Sequence, residues 1–266
     1  MGEIYDALRH AIQQKDAVSL ITQVQGPNPG AKVLASDEQV LGTLGDPDLD
    51  KVAVSKAMDM LQHGAISTLK YGPKGEEGED VELFVQSFAP PPLMYVFGAV
   101  NLASAVVRIG KFLDYRVTVC DARKVFATKE RFPEADEIVV QWPNEFLETA
   151  KVDGRTAICI LTHDPKFDIP LLQEALKTKA GYIGAMGSRR THQKRVDNLL
   201  EVGVTEEELE RIQAPLGLDI GASQPEEVAV AVAAQIIANR NGKPGGSLKH
   251  SAGRIHAAKP VAEPVS

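Results

Sequence analysis

The sequence predicts an α/β protein in which a C-terminal parallel-sheet domain follows a smaller α+β domain. Three observations predict it. Residues 92–123, PLMYVFGAVNLASAVVRIGKFLDYRVTVCDAR, read as strand, tight turn, helix and strand, the layout of a Rossmann-like βαβ unit. Short apolar runs then alternate with helical segments as far as Arg240, the pattern of a parallel sheet with crossovers. Ahead of them, Ser87–Pro92 (SFAPPP) ends in three consecutive prolines, an extended and semi-rigid boundary. The expected organisation is an α+β domain over 1–89, a linker over 90–92, a Rossmann-like domain over 93–245 and a loosely ordered tail over 246–266.

The first domain opens on a helix within Met1–Gln14, where Ile4, Leu8 and Ile12 recur at helical spacing. Val18–Val24 is a strand. Gly26-Pro27-Asn28-Pro29-Gly30 is a loop by its turn chemistry. Lys32–Ala35 and Val40–Leu44 form a hairpin, and Gly45-Asp46-Pro47-Asp48 turns into a helix with Asp48 as its N-cap. Ser67–Tyr71 and Val81–Phe88 are further strands, and the acidic, glycine-rich Gly72–Asp80 between them is a solvated turn.

In the second domain Leu93–Phe97 is a buried strand and Gly98 ends it. Leu102, Val106, Ile109 and Leu113 line a helix that Asp114 closes, and Tyr115–Cys120 is the next strand. Asp121 stands 23 residues after Gly98, close to the spacing of about 20 at which such units place a ribose-binding acid. The glycine fingerprint is incomplete, because its second and third positions are Val100 and Ala103. A β-branched residue at the second position blocks the backbone approach of a pyrophosphate, so the fold signal is stronger than the dinucleotide signal.

Strands follow at Glu137–Val140, Thr156–Leu161 and Ala180–Ile183. Helices are expected over Asn144–Ala150, Pro170–Thr178, Gly187–Val202 after its turn, and Pro225–Arg240. Ser223 and Glu226 fit a capping box for the last of these. Ligands of such sheets sit beyond the carboxyl ends of the strands. That places Gly98–Asn101, Asp121–Arg123, Thr162–Asp164 and Gly184–Arg190 on one edge.

The last segment is the most informative. Gly187 and Ser188 form a strand-to-helix turn, and Arg189 and Arg190 occupy the first helical turn, where positive charge opposes the helix dipole. Arginines at that position read as ligands for a phosphate or carboxylate. His163 and Asp164, at a strand's carboxyl end, are open between a proton shuttle or metal pair and a structural role holding a loop through hydrogen bonds, with Asp168 four residues on as a further carboxylate whose spacing is not specific. Asp219, in a glycine-punctuated loop, is a further candidate. The candidate binding set is Gly98, Asn101, Asp121, Arg123, Thr162, His163, Asp164, Gly187, Ser188, Arg189, Arg190 and Asp219. No catalytic residue and no metal-ligand set is assigned.

Composition narrows the function classes. The 266 residues carry a net charge of −7, which argues against broad nucleic-acid binding. No apolar run approaches the roughly 18 residues of a membrane span, and the charged N-terminus lacks a signal-peptide core. Cys120 and Cys159 both lie in apolar strands, as expected of buried thiols in a cytoplasmic protein.

The segments VFGAVNLASAVVRIGKFLDYRVTVCDAR, ILTHDPKFDIPLLQEAL, YIGAMGSRRT and APLGLDIGASQPEEVAVAVAAQIIANR resemble, in order and spacing, successive motifs of the xanthine dehydrogenase accessory protein (XdhC/CoxI) family. PGAKVLASDEQVLGTLG resembles that family's N-terminal module. The resemblance implies a two-domain maturation factor that binds molybdenum cofactor, a phosphate-bearing pterin, and hands it to a molybdenum hydroxylase, with a sulfurtransferase as a further partner. If a ligand of this kind binds, Ser188, Arg189 and Arg190 are expected to hold its phosphate, Asp121 and Arg123 to contact the ring or ribose end, and His163 and Asp164 to orient a polar group across the cleft.

Three turns depart from the family pattern. Ser-x-Pro-Arg is replaced by the shortened loop at Gly26–Gly30, Gly-Gly-Gly-Cys by Gly45-Asp46-Pro47-Asp48, and Gly-Ala-Gly-His by Gly98-Ala99-Val100-Asn101. A divergent paralogue is therefore expected, with two alternatives: an NAD(P)-dependent oxidoreductase on the same fold, or a non-catalytic partner protein. A homodimer through the apolar C-terminal helix is also expected.

Overall fold

A computed structural model of the chain describes residues 2–250. Residues 251–266, most of the expected loose tail, lie outside the described residues. The chain divides into two compact units, one ending at Pro90 and the other running over Pro91–His250.

The first unit comprises α1 (Glu3–Gln14), β1 (Val18–Gln25), β2 (Lys32–Ala35), β3 (Val40–Thr43), α2 (Pro47–Leu61), β4 (Ile66–Tyr71) and β5 (Val81–Phe88). Its strands form one antiparallel sheet in the order β3-β2-β1-β5-β4. Successive side chains of a strand point to opposite faces, so β1 serves two cores. Val18 joins Leu34 and Ala11 of α1 on one side, and Ile21 joins Val33, Val85 and Ala53 of α2 on the other. Ser19, buried against α2, donates to the Ala57 carbonyl at 3.1 Å.

The cap of α2 corrects the sequence reading by two positions. Asp46, not Asp48, accepts from the Asp48 and Leu49 N–H groups at 3.0 and 3.1 Å. Asp46 has extended backbone, and Pro47 behind it is pre-set for the first helical position.

The second unit comprises β6 (Leu93–Phe97), α3 (Asn101–Phe112), β7 (Arg116–Cys120), β8 (Glu137–Val139), α4 (Pro143–Thr149), β9 (Ala157–Ile160), α5 (Pro165–Lys177), β10 (Tyr182–Ala185), α6 (Arg189–Glu201), α7 (Glu206–Leu209), β11 (Ile212–Gln213) and α8 (Pro225–Arg240). All six strands are parallel, in the order β11-β10-β9-β6-β7-β8. Numbered from β6 as first strand, this is the doubly wound 6-5-4-1-2-3 order, and its switch point lies between β6 and β9.

Both faces of the sheet are covered, which is why its strands read as continuous apolar runs rather than alternating ones. Val96, Val119, Cys159 and Leu161 pack under Val106 of α3 and Val232 and Ile236 of α8. Phe97, Ile158, Ile160 and Ile183 pack under Leu171 and Leu172 of α5 and Leu199 of α6.

Several boundaries differ from the sequence reading. The helix expected from Pro170 begins at Pro165, with Asp164 as its cap, accepting from the Lys166 N–H at 3.1 Å. Pro170 sits inside that helix at the expense of one backbone bond. The short elements α7 and β11 are additions to that reading, being too brief to show a period. At α8 the capping carboxylate is Glu227, which accepts from the Ser223 and Gln224 N–H groups at 2.9 and 3.0 Å. Glu226, the expected partner of Ser223, instead meets Arg108 of α3 at 2.9 Å. No helix among the described residues is long and apolar enough to cross a membrane.

Candidate functional site

The switch point is closed by backbone contact. Gly98 has φ +97°, and a Cβ there would lie 2.7 Å from the Thr162 methyl and 3.0 Å from the Thr162 nitrogen. Val100, in the second position of the incomplete fingerprint, is the first flank of α3 and packs against the core, while Asn101 is exposed.

Asp121 occupies the expected place at the end of β7, but its carboxylate is already engaged. Oδ2 accepts from the Ala99 N–H and from Arg123 Nη2, both at 2.8 Å. Oδ1 accepts from the Arg123 N–H and Nε, both at 2.9 Å. Four donors fill the acceptor capacity of a carboxylate. Arg123 in turn lies over the Phe126 ring, 4.5 Å from its centroid. Asp121 and Arg123 therefore clamp the β6–α3 turn to the end of β7, a geometry that leaves the acid committed rather than open to a ribose.

Burial alone would raise the Asp121 carboxyl, but the Arg123 side chain and the two N–H groups hold it below its ordinary value. A depressed folded-state pKa contributes stability above the unfolded value of about 3.9 and loses it as pH falls through the lower folded value. Asp121→Asn is therefore expected to flatten the acid limb of a stability-versus-pH curve below about pH 4. An unchanged limb would show that the clamp contributes nothing there.

The second cluster joins the ends of β9 and β10. Ser188 caps α6 by accepting from the Thr191 N–H at 3.1 Å. The N–H groups of Arg189 and Arg190 have no partner within an α-helix at that position. Gly187, at φ +146°, brings the turn close to Arg195, whose Nη2 would lie 3.7 Å from a Cβ there.

Arg195 is 3% exposed. Its Nη2 donates to Asp168 Oδ2 and to the Met186 carbonyl, both at 2.8 Å. Asp168 also accepts from the Thr162 hydroxyl. Asp168 is thus the buried counter-ion of Arg195, which corrects its reading as a companion carboxylate for His163 and Asp164. Arg195 Nε and Nη1 are buried with no hydrogen-bond partner, as is His192 Nδ1. A buried donor left unpaired costs about 1–3 kcal/mol, more when charged. His192 is held below its usual value by burial and by the Arg195 charge.

Between α5 and α6 lies a cavity of about 440 Å³, within the size of small-molecule sites. Arg190, Lys194 and Arg195 supply three cations to its wall against the one carboxylate of Asp168, with His163 and Ser188 at the strand ends. Of the residues singled out from sequence, His163, Ser188 and Arg190 meet here. Thr162 stands behind the wall through Asp168, and Gly187 shapes the turn. Gly98, Asn101, Asp121, Arg123, Asp164, Arg189 and Asp219 do not line this cavity. Asp164 is committed to its cap and to Lys166 at 3.3 Å, and Arg189 and Asp219 are exposed.

Sequence reasoning passes over Arg195 as one more basic residue. Its signal is position: it stands four residues before the buried Leu199, on the inward face of α6.

The XdhC Rossmann domain family model matches residues 94–236, more than half of the chain. The chain belongs to this family. Among curated relatives, YqeB of Escherichia coli, an uncharacterized protein, is 25% identical over 87% of this chain and 45% of its own length. A Bacillus subtilis protein named as a probable xanthine dehydrogenase subunit is 30% identical over 61% of this chain and 47% of its own. The Escherichia coli molybdenum cofactor insertion chaperone PaoD is 38% identical over 35% of this chain and 29% of its own. The chain spans less than half the length of these relatives. A solved structure described as a xanthine dehydrogenase from Bacillus halodurans shares the fold, with a TM-score of 0.60 at 20% identity over 90% of this chain and 67% of that one.

In this XdhC-family chain both cysteines, Cys120 and Cys159, are buried and unpaired with each other, and burial pushes each thiol up to about 12. Neither is a thiolate at neutral pH. Among the described residues no cluster of three or more His, Cys, Asp or Glu could hold a metal ion.

The two N-terminal turns that depart from the XdhC pattern hold each other. The Asn28 amide donates to the Leu44 carbonyl at 3.0 Å, and the Asp46 carboxylate is spent on the α2 cap.

Proposed function

We propose that this protein binds molybdenum cofactor and acts as a maturation factor for a molybdenum hydroxylase of the xanthine dehydrogenase type. The observation that carries the reading is the cationic cavity at the carboxyl edge of the sheet in a chain of the XdhC family. One relative is named as an insertion chaperone for this cofactor and another as part of a probable xanthine dehydrogenase, which supports the same direction.

The residues present suit the phosphate end of such a cofactor: three cations, two buried guanidinium nitrogens without a partner and the open N–H groups of a helix start. They do not offer the metal a thiolate, since both cysteines are buried in the sheet. In this reading the protein holds the cofactor by its organic, anionic part. The bound group supplies the molybdenum centre that the client enzyme uses. The nicotinamide alternative is weakened by Val100 and by the four donors already on Asp121.

The test is a cofactor inventory. The protein is purified anaerobically from a molybdate-supplemented host, then assayed for molybdenum by mass spectrometry and for oxidised pterin by fluorescence. Both are expected near one per chain. Absence of both, while an XdhC-family protein with the full Gly-Gly-Gly-Cys turn loads under the same conditions, would sink the proposal.

A further inference from the structure

We infer that the cavity between α5 and α6 is a built site for a phosphate monoester dianion, in which the buried Arg195, not the exposed Arg189, is the recognition residue and Asp168 positions it. The inference deepens the cofactor reading and rests on it only for the identity of the natural ligand.

The simplest account of Arg195 is structural: a buried ion pair that ties α6 to α5. That account explains Nη2, which meets Asp168 and the Met186 carbonyl. It leaves Nε and Nη1 unexplained, because both are buried without a partner on a side chain 3% exposed. A structural arginine gains nothing from withheld donors. An arginine awaiting a tetrahedral oxyanion has to withhold them.

Three further features point to the same ligand. Arg190 and Lys194 stand on the same wall and leave it with an excess of positive charge that a dianion matches better than a carboxylate. The start of α6 adds the unpartnered N–H groups of its first turn, and Ser188 has spent its side chain on the Thr191 N–H, leaving the groups of Arg189 and Arg190 open. Gly187 keeps the turn free of a side chain near the guanidinium.

Asp168 acts through Arg195. Held by the Thr162 hydroxyl on one oxygen, it holds Arg195 Nη2 with the other, which fixes the plane of the guanidinium and leaves Nε and Nη1, on either side of Nη2, as separate donors. Arg189 lies in the same helical turn as Arg190 but outside the cavity wall, so the two adjacent arginines are expected to differ.

The experiment is isothermal titration of the purified, cofactor-free full chain with phenyl phosphate, inorganic phosphate and benzoate. Phenyl phosphate is expected to bind saturably, more tightly than benzoate, and more tightly as pH rises through the second phosphate pKa near 6. Arg195→Lys keeps the charge but loses the planar guanidinium and its separate Nε and Nη1 donors, and is expected to weaken binding by about tenfold or more. Arg190→Ala with Lys194→Ala, both on exposed residues, is expected to weaken it at least as much, and it stands in if Arg195→Lys fails to fold. Arg189→Ala is expected to bind as the unaltered protein does.

No saturable binding of phenyl phosphate, equal affinity in the cavity variants, or an equal loss in Arg189→Ala would overturn the inference. The two readings separate cleanly. Molybdopterin retained by the cavity variants sinks this site and spares the cofactor reading. Phenyl phosphate bound by a protein that never loads molybdopterin does the reverse.

Discussion

Replacing Asp168 with alanine is expected to lower the stability of the second unit by about 3–5 kcal/mol, the usual cost of removing one partner from a buried ion pair. Both side chains of the Asp168–Arg195 pair are almost fully buried, 4% and 3% exposed, so water cannot take over for the lost carboxylate. The change strands the guanidinium next to its two unpartnered donor atoms and leaves the buried Thr162 hydroxyl without its acceptor. At about 2–4 °C per kcal/mol for a domain of this size, the midpoint of thermal unfolding should fall by roughly 6–20 °C. Differential scanning calorimetry measures it. A loss under about 1 kcal/mol would mean that the pair is no more valuable than a surface bridge.

The second large effect is expected at Gly98. Alanine there meets two penalties. A residue with a Cβ at φ +97° costs about 1–2 kcal/mol, and the new atom would sit 2.7 Å from the Thr162 methyl and 3.0 Å from its backbone nitrogen. Overpacking of that kind adds about 1–3 kcal/mol. The backbone cannot easily yield, because the Phe97 carbonyl accepts from the Leu161 N–H at 2.8 Å beside the contact. Gly203 provides the reference: its φ is +90°, but nothing lies within 4 Å of a Cβ built on it. Gly98→Ala is expected to destabilise by about 1–3 kcal/mol more than Gly203→Ala in urea titrations. Equal losses would show that only the backbone angle matters and that the strand ends at the switch point can part.

Legibility from sequence follows the length over which a signal repeats. The helix over 102–113 and the strands around it are readable because apolar residues recur at one period for several turns. The brief α7 and β11 offer no such run, and the start of α5 is hidden behind Pro170, which reads as a beginning but here stands inside the helix. The caps of α2 and α8 are each displaced from the sequence reading by a residue or two for a common reason. Several polar residues in a row can cap a helix, and only backbone geometry chooses among them.

Site residues divide in the same way. Ser188 and Arg190 stand out because two arginines at a helix start conflict with the dipole, a local anomaly. Asp121 stands out by spacing, yet spacing does not reveal that Arg123 and the Ala99 N–H fill its carboxylate. Arg195 does not stand out, because its chemistry depends on Asp168, 27 positions away on another helix.

By itself the sequence determined the order of the longer strands and helices, the parallel character of the second sheet and the basic turn at its edge. These follow from periodicity, from doubly buried apolar strands and from local turn chemistry, all of which act over a few residues. Only the tertiary structure decided that one arginine of α6 is buried with unpartnered donors while Arg189, Arg190 and Lys194 of the same helix face solvent. Burial and partnership are properties of what packs opposite a residue, and a chain read in one dimension does not contain its opposite side.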